Sequence, residues 1–241
     1  MIQATFKLVN PSSTATCFLV SQPRQGTEKK AESILVTAAH VFEQMTGQQA
    51  SLVLRKANKD GTYTRQELSV KVRAKDRPLW TKHPKMDVAA LRIELPTGVA
   101  AVPLPLDLLA DEAALKTARF GPGADVRVAC YPVRFEITAA GFPVIRRGAI
   151  AGFPLTPVKA YNTFLVDYNN FVGDSGGPVF LSHDREKDEA DPLVVGIVLG
   201  QHLYDERTKL AFEERVLHHR LGLAIVLHAE FVRETLRLLP K

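Results

Sequence analysis

The sequence predicts an all-β fold with a C-terminal helix. Three observations carry this. Short apolar runs recur along most of the 241 residues, turn-forming residues separate them, and helical periodicity is confined to the tail. Ala4–Val9 and Thr14–Val20 read as two strands around a Pro-Ser-Ser turn, and Ser33–Thr37 as a third, buried run. Ser51–Arg55 and Tyr63–Val72 flank Asn58-Lys59-Asp60-Gly61, a hairpin signal, and Asp87–Ile93 follows as another run. Residues 96–123 change character, with prolines at 96, 103 and 105, an Ala/Leu-rich piece at Leu108–Ala118 and Gly-Pro-Gly at 121–123. They predict a connection carrying one short helix. Strand-like runs resume at Asp125–Tyr131, Val144–Ala151, Thr163–Tyr168, Gly177–Leu181, Leu193–Leu199 and Leu221–Leu227. Asp184–Asp191 reads as a charged loop, and the pair His218-His219 also falls in a loop. The tail, Ala229–Leu239, places Phe231, Thr235, Leu238 and Leu239 on one helical face.

Composition bounds the function. A hydrophobic fraction of 46% supports a full core. The net charge of +5 is modest and spread along the chain, so nucleic acid is not the partner expected. The densest basic stretch, Lys71, Arg73, Lys75, Arg77, Lys82 and Lys85, reads first as a solvated face and second as a steering patch for an acidic partner. There are two cysteines, Cys17 and Cys130, both in apolar runs that favour buried free thiols over a bridge. Neither a signal-peptide pattern nor a membrane-length apolar run is visible, so a cytoplasmic protein is expected. His83 and His218-His219 lack metal-ligand spacing, and no metal or cofactor is expected.

The chemistry lies in three frames. Residues 37–40 read Thr-Ala-Ala-His, residues 86–91 read Met-Asp-Val-Ala-Ala-Leu, and residues 173–177 read Gly-Asp-Ser-Gly-Gly. A serine hydroxyl is a weak nucleophile at neutral pH. It needs a base to take its proton, and the base needs a partner to fix its tautomer and bear its charge. His40, Asp87 and Ser175 supply those parts in that order. The glycine–serine frame also satisfies the nucleophile elbow of α/β-hydrolases. That elbow requires a helix after the serine, with the acid and histidine downstream. Here Pro178-Val-Phe-Leu reads as a strand, and the framed histidine and aspartate come first.

Together the three frames resemble the chymotrypsin-like (trypsin-like) serine protease superfamily, most closely its compact bacterial peptidase domains. The strand-like Val126–Pro132, Gly196-Ile-Val-Leu-Gly and the final strand and helix from Gly222 extend the likeness along most of the chain. The resemblance implies a single peptidase domain over 1–241 built from two six-stranded antiparallel β-barrels. Their bounds are about 1–95 and about 124–228, joined by 96–123 and followed by a helix over about 229–239. It implies an endopeptidase working on protein or peptide substrates through an acyl-enzyme. Ser175 is then the nucleophile, His40 the general base and Asp87 its orienting acid. The backbone N–H groups of Gly173 and Ser175 form the oxyanion hole. It further implies that Asn169 lies near the base of the substrate pocket, with Leu199, Gly200 and Gln201 on one wall and Gly222 opposite. The competing class is a non-catalytic module that keeps the fold and binds a peptide or partner.

The chain departs from the family pattern in four places. Val41 follows the histidine where secreted members often have a half-cystine. Leu199 stands where a serine often contacts the catalytic aspartate, which leaves Asp87 one hydrogen bond fewer. Asn169 replaces the aspartate that gives trypsin-like members their basic specificity, although Asp167 lies close by as another source of charge. Asp174 precedes the serine, but Met1-Ile2 offers no cleaved N-terminus to pair with it. Asp174 must find an internal donor, or stay partly unpaired until an activating protein orders the loop.

Overall fold

The computed structural model describes residues 1–23, 31–116, 120–181 and 192–240. The first half contains β1 (Thr5–Asn10), β2 (Ser13–Pro23), β3 (Ala31–Thr37), α1 (Ala39–Gln44), β4 (Gln49–Ala57) and β5 (Tyr63–Lys71). Short pieces β6 (Arg73–Ala74), β7 (Arg77–Pro78) and β8 (Thr81–Lys82) lead into β9 (Ala89–Ile93). The main sheet runs β5-β4-β1-β2-β3-β9-β8, coiled into a barrel-like form, and β10 (Leu104–Pro105) adds to β2 in parallel. The side-chain period of two is clear on β2. Cys17 and Leu19 point into the first-barrel core, while Phe18 and Val20 join a second cluster shared with the C-terminal half. β4 and β5 form the hairpin that the Asn-Lys-Asp-Gly turn signals, with Asn58 N–H donating to Thr62 O at 2.9 Å.

The second half closes completely. β11 (Asp125–Cys130), β12 (Val144–Ile150), β13 (Thr163–Asp167), β14 (Pro178–Leu181), β15 (Val194–Lys209) and β16 (Glu214–His228) form an antiparallel barrel in the order β11-β12-β13-β16-β15-β14. The connection holds β10, a 3₁₀ turn at Leu106–Leu108 and α2 (Glu112–Leu115), capped by Asp111. The predicted helix over Leu108–Ala118 thus contracts to one turn, and its last residues lie outside the described residues. So does the charged loop Asp184–Asp191.

Two expectations need correction. β15 and β16 run far past the predicted Leu193–Leu199 and Leu221–Leu227. They leave the barrel as a ribbon, paired in register from Leu203↔Arg220 to Lys209↔Glu214. His218 and His219 therefore sit on a strand, not in a loop. Their rings are paired to Asp205 at 2.6 Å and Glu206 at 2.8 Å. The second correction concerns α3 (Ala229–Arg237). It buries Ala229, Phe231, Val232, Thr235 and Leu236, and Leu239 beyond its end is buried as expected, whereas Leu238 is 48% exposed.

Cys17 and Cys130 are free and buried, and burial pushes both thiols well above the ordinary range. No helix among the described residues is long and apolar enough to cross a membrane.

Candidate active site

His40 lies in the first turn of α1, directly after β3. Ala38 and Ala39 are fully buried, which explains the small residues of that frame: anything larger would push the turn off the core. Asp87 sits in the turn between β8 and β9. It accepts the His40 backbone N–H at Oδ1 (2.8 Å), and its Oδ2 lies 2.6 Å from His40 Nδ1. A carboxylate only accepts, so the shared proton sits on Nδ1 and the Nε2 lone pair is left for other work. Half-burial raises the Asp87 pKa, but the hydrogen bonds and charge of His40, with Lys82, bring it net below the usual carboxylate value. Both of the Asp87 hydrogen bonds given by the described residues go to His40.

The turn carrying Asp87 is held by a residue the sequence reading passed over. His83 accepts the Lys85 and Met86 N–H groups at Nδ1 (3.2 and 3.0 Å), and its Nε2 lies 3.0 Å from Glu234 on α3. Its spacing showed no metal pattern; its bonds to Lys85 and Met86 are local, and the tertiary contact to Glu234 is the part that no sequence pattern reports.

Ser175 belongs to the turn between β13 and β14. Its hydroxyl donates to the Leu199 carbonyl at 3.0 Å. A serine has one hydroxyl proton, so in this conformation it is given to Leu199 and not to His40. The serine turn is nevertheless seated against the His40 segment. A Cβ on Gly176 would lie 2.2 Å from Thr37 Oγ1 and 2.2 Å from Thr16 O. Only glycine allows that approach.

The candidate oxyanion donors are held through their neighbouring carbonyls. Val172 O accepts from Val133 N–H at 2.7 Å, and Asp174 O from Gly177 N–H at 2.9 Å. In a trans peptide the N–H points opposite its carbonyl, so the Gly173 and Ser175 N–H groups are turned away from those partners. Gly173 has φ +100°, and a Cβ there would lie 2.3 Å from Tyr131 O. The side-chain-free residue is thus imposed by both torsion and space.

Asp174 finds its internal donor. The carboxylate is fully buried, accepts Phe171 N–H at 3.0 Å and lies 3.4 Å from the Arg146 guanidinium. Burial raises its pKa net above the ordinary value, although Phe171 N–H, the Cys130 thiol, Arg146 and the Tyr168 hydroxyl draw it back. Arg146 in turn faces the Tyr168 and Phe171 rings, 5.1 Å from each centroid.

The candidate pocket residues come from β13, β15 and β16 and the turns beside them. Leu199 meets Ser175 through its carbonyl, and Gly200 O accepts from Asn170 Nδ2 at 3.0 Å. Gly200 and Gln201 pair with Ile225 and Ala224. Asn169 Oδ1 lies 3.3 Å from where a Cβ on Gly222 would be. Asn169 is exposed, whereas its neighbour Asn170 is buried and braces the wall, a role hidden in an Asn-Asn pair. Asp167 is exposed at the end of β13, in register with Leu223. Among the described residues no group of His, Cys, Asp and Glu is arranged to hold a metal.

Comparison with known proteins agrees with this layout. Among curated proteins none matches the chain. The family model for the trypsin-like peptidase domain matches residues 15–187, which span the His40, Asp87 and Ser175 frames. With its two-part β architecture and a function of the protease type, the chain belongs to the trypsin-like peptidase family.

Proposed function

We propose that the protein is a serine endopeptidase that cleaves peptide bonds through an acyl-enzyme. The observation that carries this is the double grip of Asp87 on His40, by backbone N–H and by Nδ1, which leaves Nε2 as a base. In the first step Ser175 Oγ attacks the scissile carbonyl carbon and its proton passes to His40 Nε2. The carbonyl oxygen becomes an oxyanion facing the Gly173 and Ser175 N–H groups. Collapse breaks the C–N bond, and His40 gives its proton to the leaving amine. Water, deprotonated by His40, then releases the acid and restores Ser175. One rearrangement must come first, a rotation of the Ser175 side chain off Leu199 O. That rotation is the step an activating partner or the substrate itself would control.

A fluorophosphonate probe tests the reading. It should label Ser175 covalently, and Ser175→Ala should abolish both labelling and peptide hydrolysis. Removing a triad serine costs about 10⁶-fold in turnover in the best-studied case. Hydrolysis by Ser175→Ala at the wild-type rate would refute the mechanism. An unlabelled chain that still binds peptides would favour the non-catalytic module.

A further inference from the structure

Thr16 lies on β2 of the first barrel, yet its hydrogen bonds reach across to the nucleophile loop. Its Oγ1 donates to Gly173 O at 2.7 Å and accepts Tyr131 N–H at 2.9 Å. Its backbone N–H donates to Ser175 O at 3.0 Å, and its carbonyl accepts from Thr37 Oγ1 at 2.8 Å. Thr16 and Thr37 are both fully buried. One residue therefore touches the Gly173 and Ser175 peptides, the strand end at Tyr131 and the segment leading to His40.

Gly173 is the weak point of such a site. Without a Cβ it has little torsional restraint of its own, and its φ of +100° is one that few other residues share. The peptide before it is held by Val133 N–H on Val172 O at 2.7 Å. The peptide after it is held by the Thr16 hydroxyl. Remove that hydroxyl and two buried groups, Gly173 C=O and Tyr131 N–H, lose their partner together. Buried orphans seek other partners, and the glycine offers the free rotation to reach them.

We propose that Thr16 is a positioning residue whose hydroxyl clamps Gly173 and so fixes the direction of its oxyanion-hole N–H. This rests on the protease reading for its effect on catalysis, but the clamp itself is a statement about loop order. The test compares Thr16→Val, which keeps shape and loses the hydroxyl, with Thr16→Ser, which keeps the hydroxyl. Amide hydrogen exchange and ¹⁵N relaxation at Gly173 and Tyr131 report loop order in the full chain. Steady-state kinetics on a peptide, well below the melting temperature of every variant, report catalysis. In Thr16→Val the Tyr131 amide should exchange faster, ¹⁵N relaxation should show greater motion at Gly173, and kcat should fall by roughly 10²-fold, the order of losing one oxyanion donor. KM should stay nearly constant, because the interaction lost is made in the transition state. Thr16→Ser should restore both. A Gly173 amide as ordered in Thr16→Val as in wild type overturns the proposal, and so does a loosened Gly173 with unchanged kcat. If Thr16→Val does not fold, the wild-type hydroxyl proton decides: slow exchange with a nuclear Overhauser contact to Gly173 supports the clamp, and free exchange with solvent sinks it. A chain without Ser175-dependent hydrolysis would defeat the protease reading and leave the clamp judged on the amide data alone.

Discussion

Asp87 accepts two hydrogen bonds from one residue, which makes its chemistry hard to replace. An asparagine there presents an amide donor that can turn toward Nδ1, favouring the tautomer with its proton on Nε2. That tautomer cannot take the Ser175 proton. Asp87→Asn should therefore lower kcat by about 10⁴ at neutral pH, as the same change does in the best-studied triad, with the fold intact by circular dichroism. A fall of less than tenfold would mean that Asp87 does not hold the tautomer. The pocket carries a second residue-scale prediction. Asn169 is neutral and near Gly222, while Asp167 stands exposed at the strand end. A P1 arginine should not be favoured 100-fold over an aliphatic residue, since that ratio requires roughly 3 kcal/mol of differential binding that an ion pair would supply. Profiling with a mixed peptide library measures it, and a strict Arg or Lys preference would place an acid in the pocket. His40, Asp87 and Ser175 were legible in the sequence because each sits in a frame of small residues that packing demands. Thr16, His83, Arg146 and Asn170 were not. Thr16 and Asn170 reach the Gly173 and Gly200 carbonyls, Arg146 the Asp174 carboxylate and His83 that of Glu234, all far away in sequence, and no local period or spacing records that.

The element most poorly legible was the ribbon formed by Leu203–Lys209 and Glu214–Arg220. A strand announces itself by alternating apolar and polar residues when one face is buried. Here both faces meet solvent, so Asp205-Glu206-Arg207 and Glu213-Glu214-Arg215 read as loop. Cross-strand pairs hold the ribbon instead: His218 with Asp205, His219 with Glu206, and the tilted rings of Tyr204 and His219. Its tip exposes Leu210 and Phe212, the latter 104% accessible. At its base Arg220 faces Phe171, 4.8 Å from the ring centroid. Since the ribbon buries so little, replacing Leu203–Arg220 by a short Gly-containing turn should leave the barrels folded. The melting temperature should move by no more than about 4 °C, the shift that roughly 1 kcal/mol gives in a protein of this size. A collapse of the melting transition would show that the ribbon supports the barrel. By contrast the six-stranded barrel was legible strand by strand, because its inward residues, such as Val126, Val128, Val166 and Val226, lie on buried alternate positions.

At the scale of the whole molecule, polar side chains buried between the elements decide how stability responds to conditions. Arg55 is fully buried, and four acceptor oxygens, Tyr131 Oη, Gly141 O, Ile2 O and Thr5 O, take hydrogen bonds from its Nη1 and Nη2, while Nε has no partner among the described residues. The Phe6 and Phe142 rings lie 4.4 and 4.8 Å from the guanidinium carbon and present their faces to it. It ties the first barrel to the loop leading into β12. His228 is the opposite case. It ends β16, is wholly buried, and packs against the Phe120 and Phe164 rings at 5.9 and 4.8 Å. Burial pushes its pKa down from 6.5 to about 4, only partly opposed by the Tyr161 and Leu155 backbone and the charge of Glu112. The folded protein therefore holds His228 neutral at pH values where the unfolded chain already takes up a proton. Below the unfolded pKa of about 6.5 the unfolded state binds more protons, so stability falls as pH drops. The loss is complete near pH 4, where the folded state also protonates. A shift of this size corresponds to about 3 kcal/mol. Chemical denaturation of wild type and His228→Phe between pH 7 and pH 4 measures it. The wild type should lose stability through this window, and the phenylalanine variant should lose about 3 kcal/mol less. Parallel curves for the two proteins would show that His228 is not the group that takes up the proton.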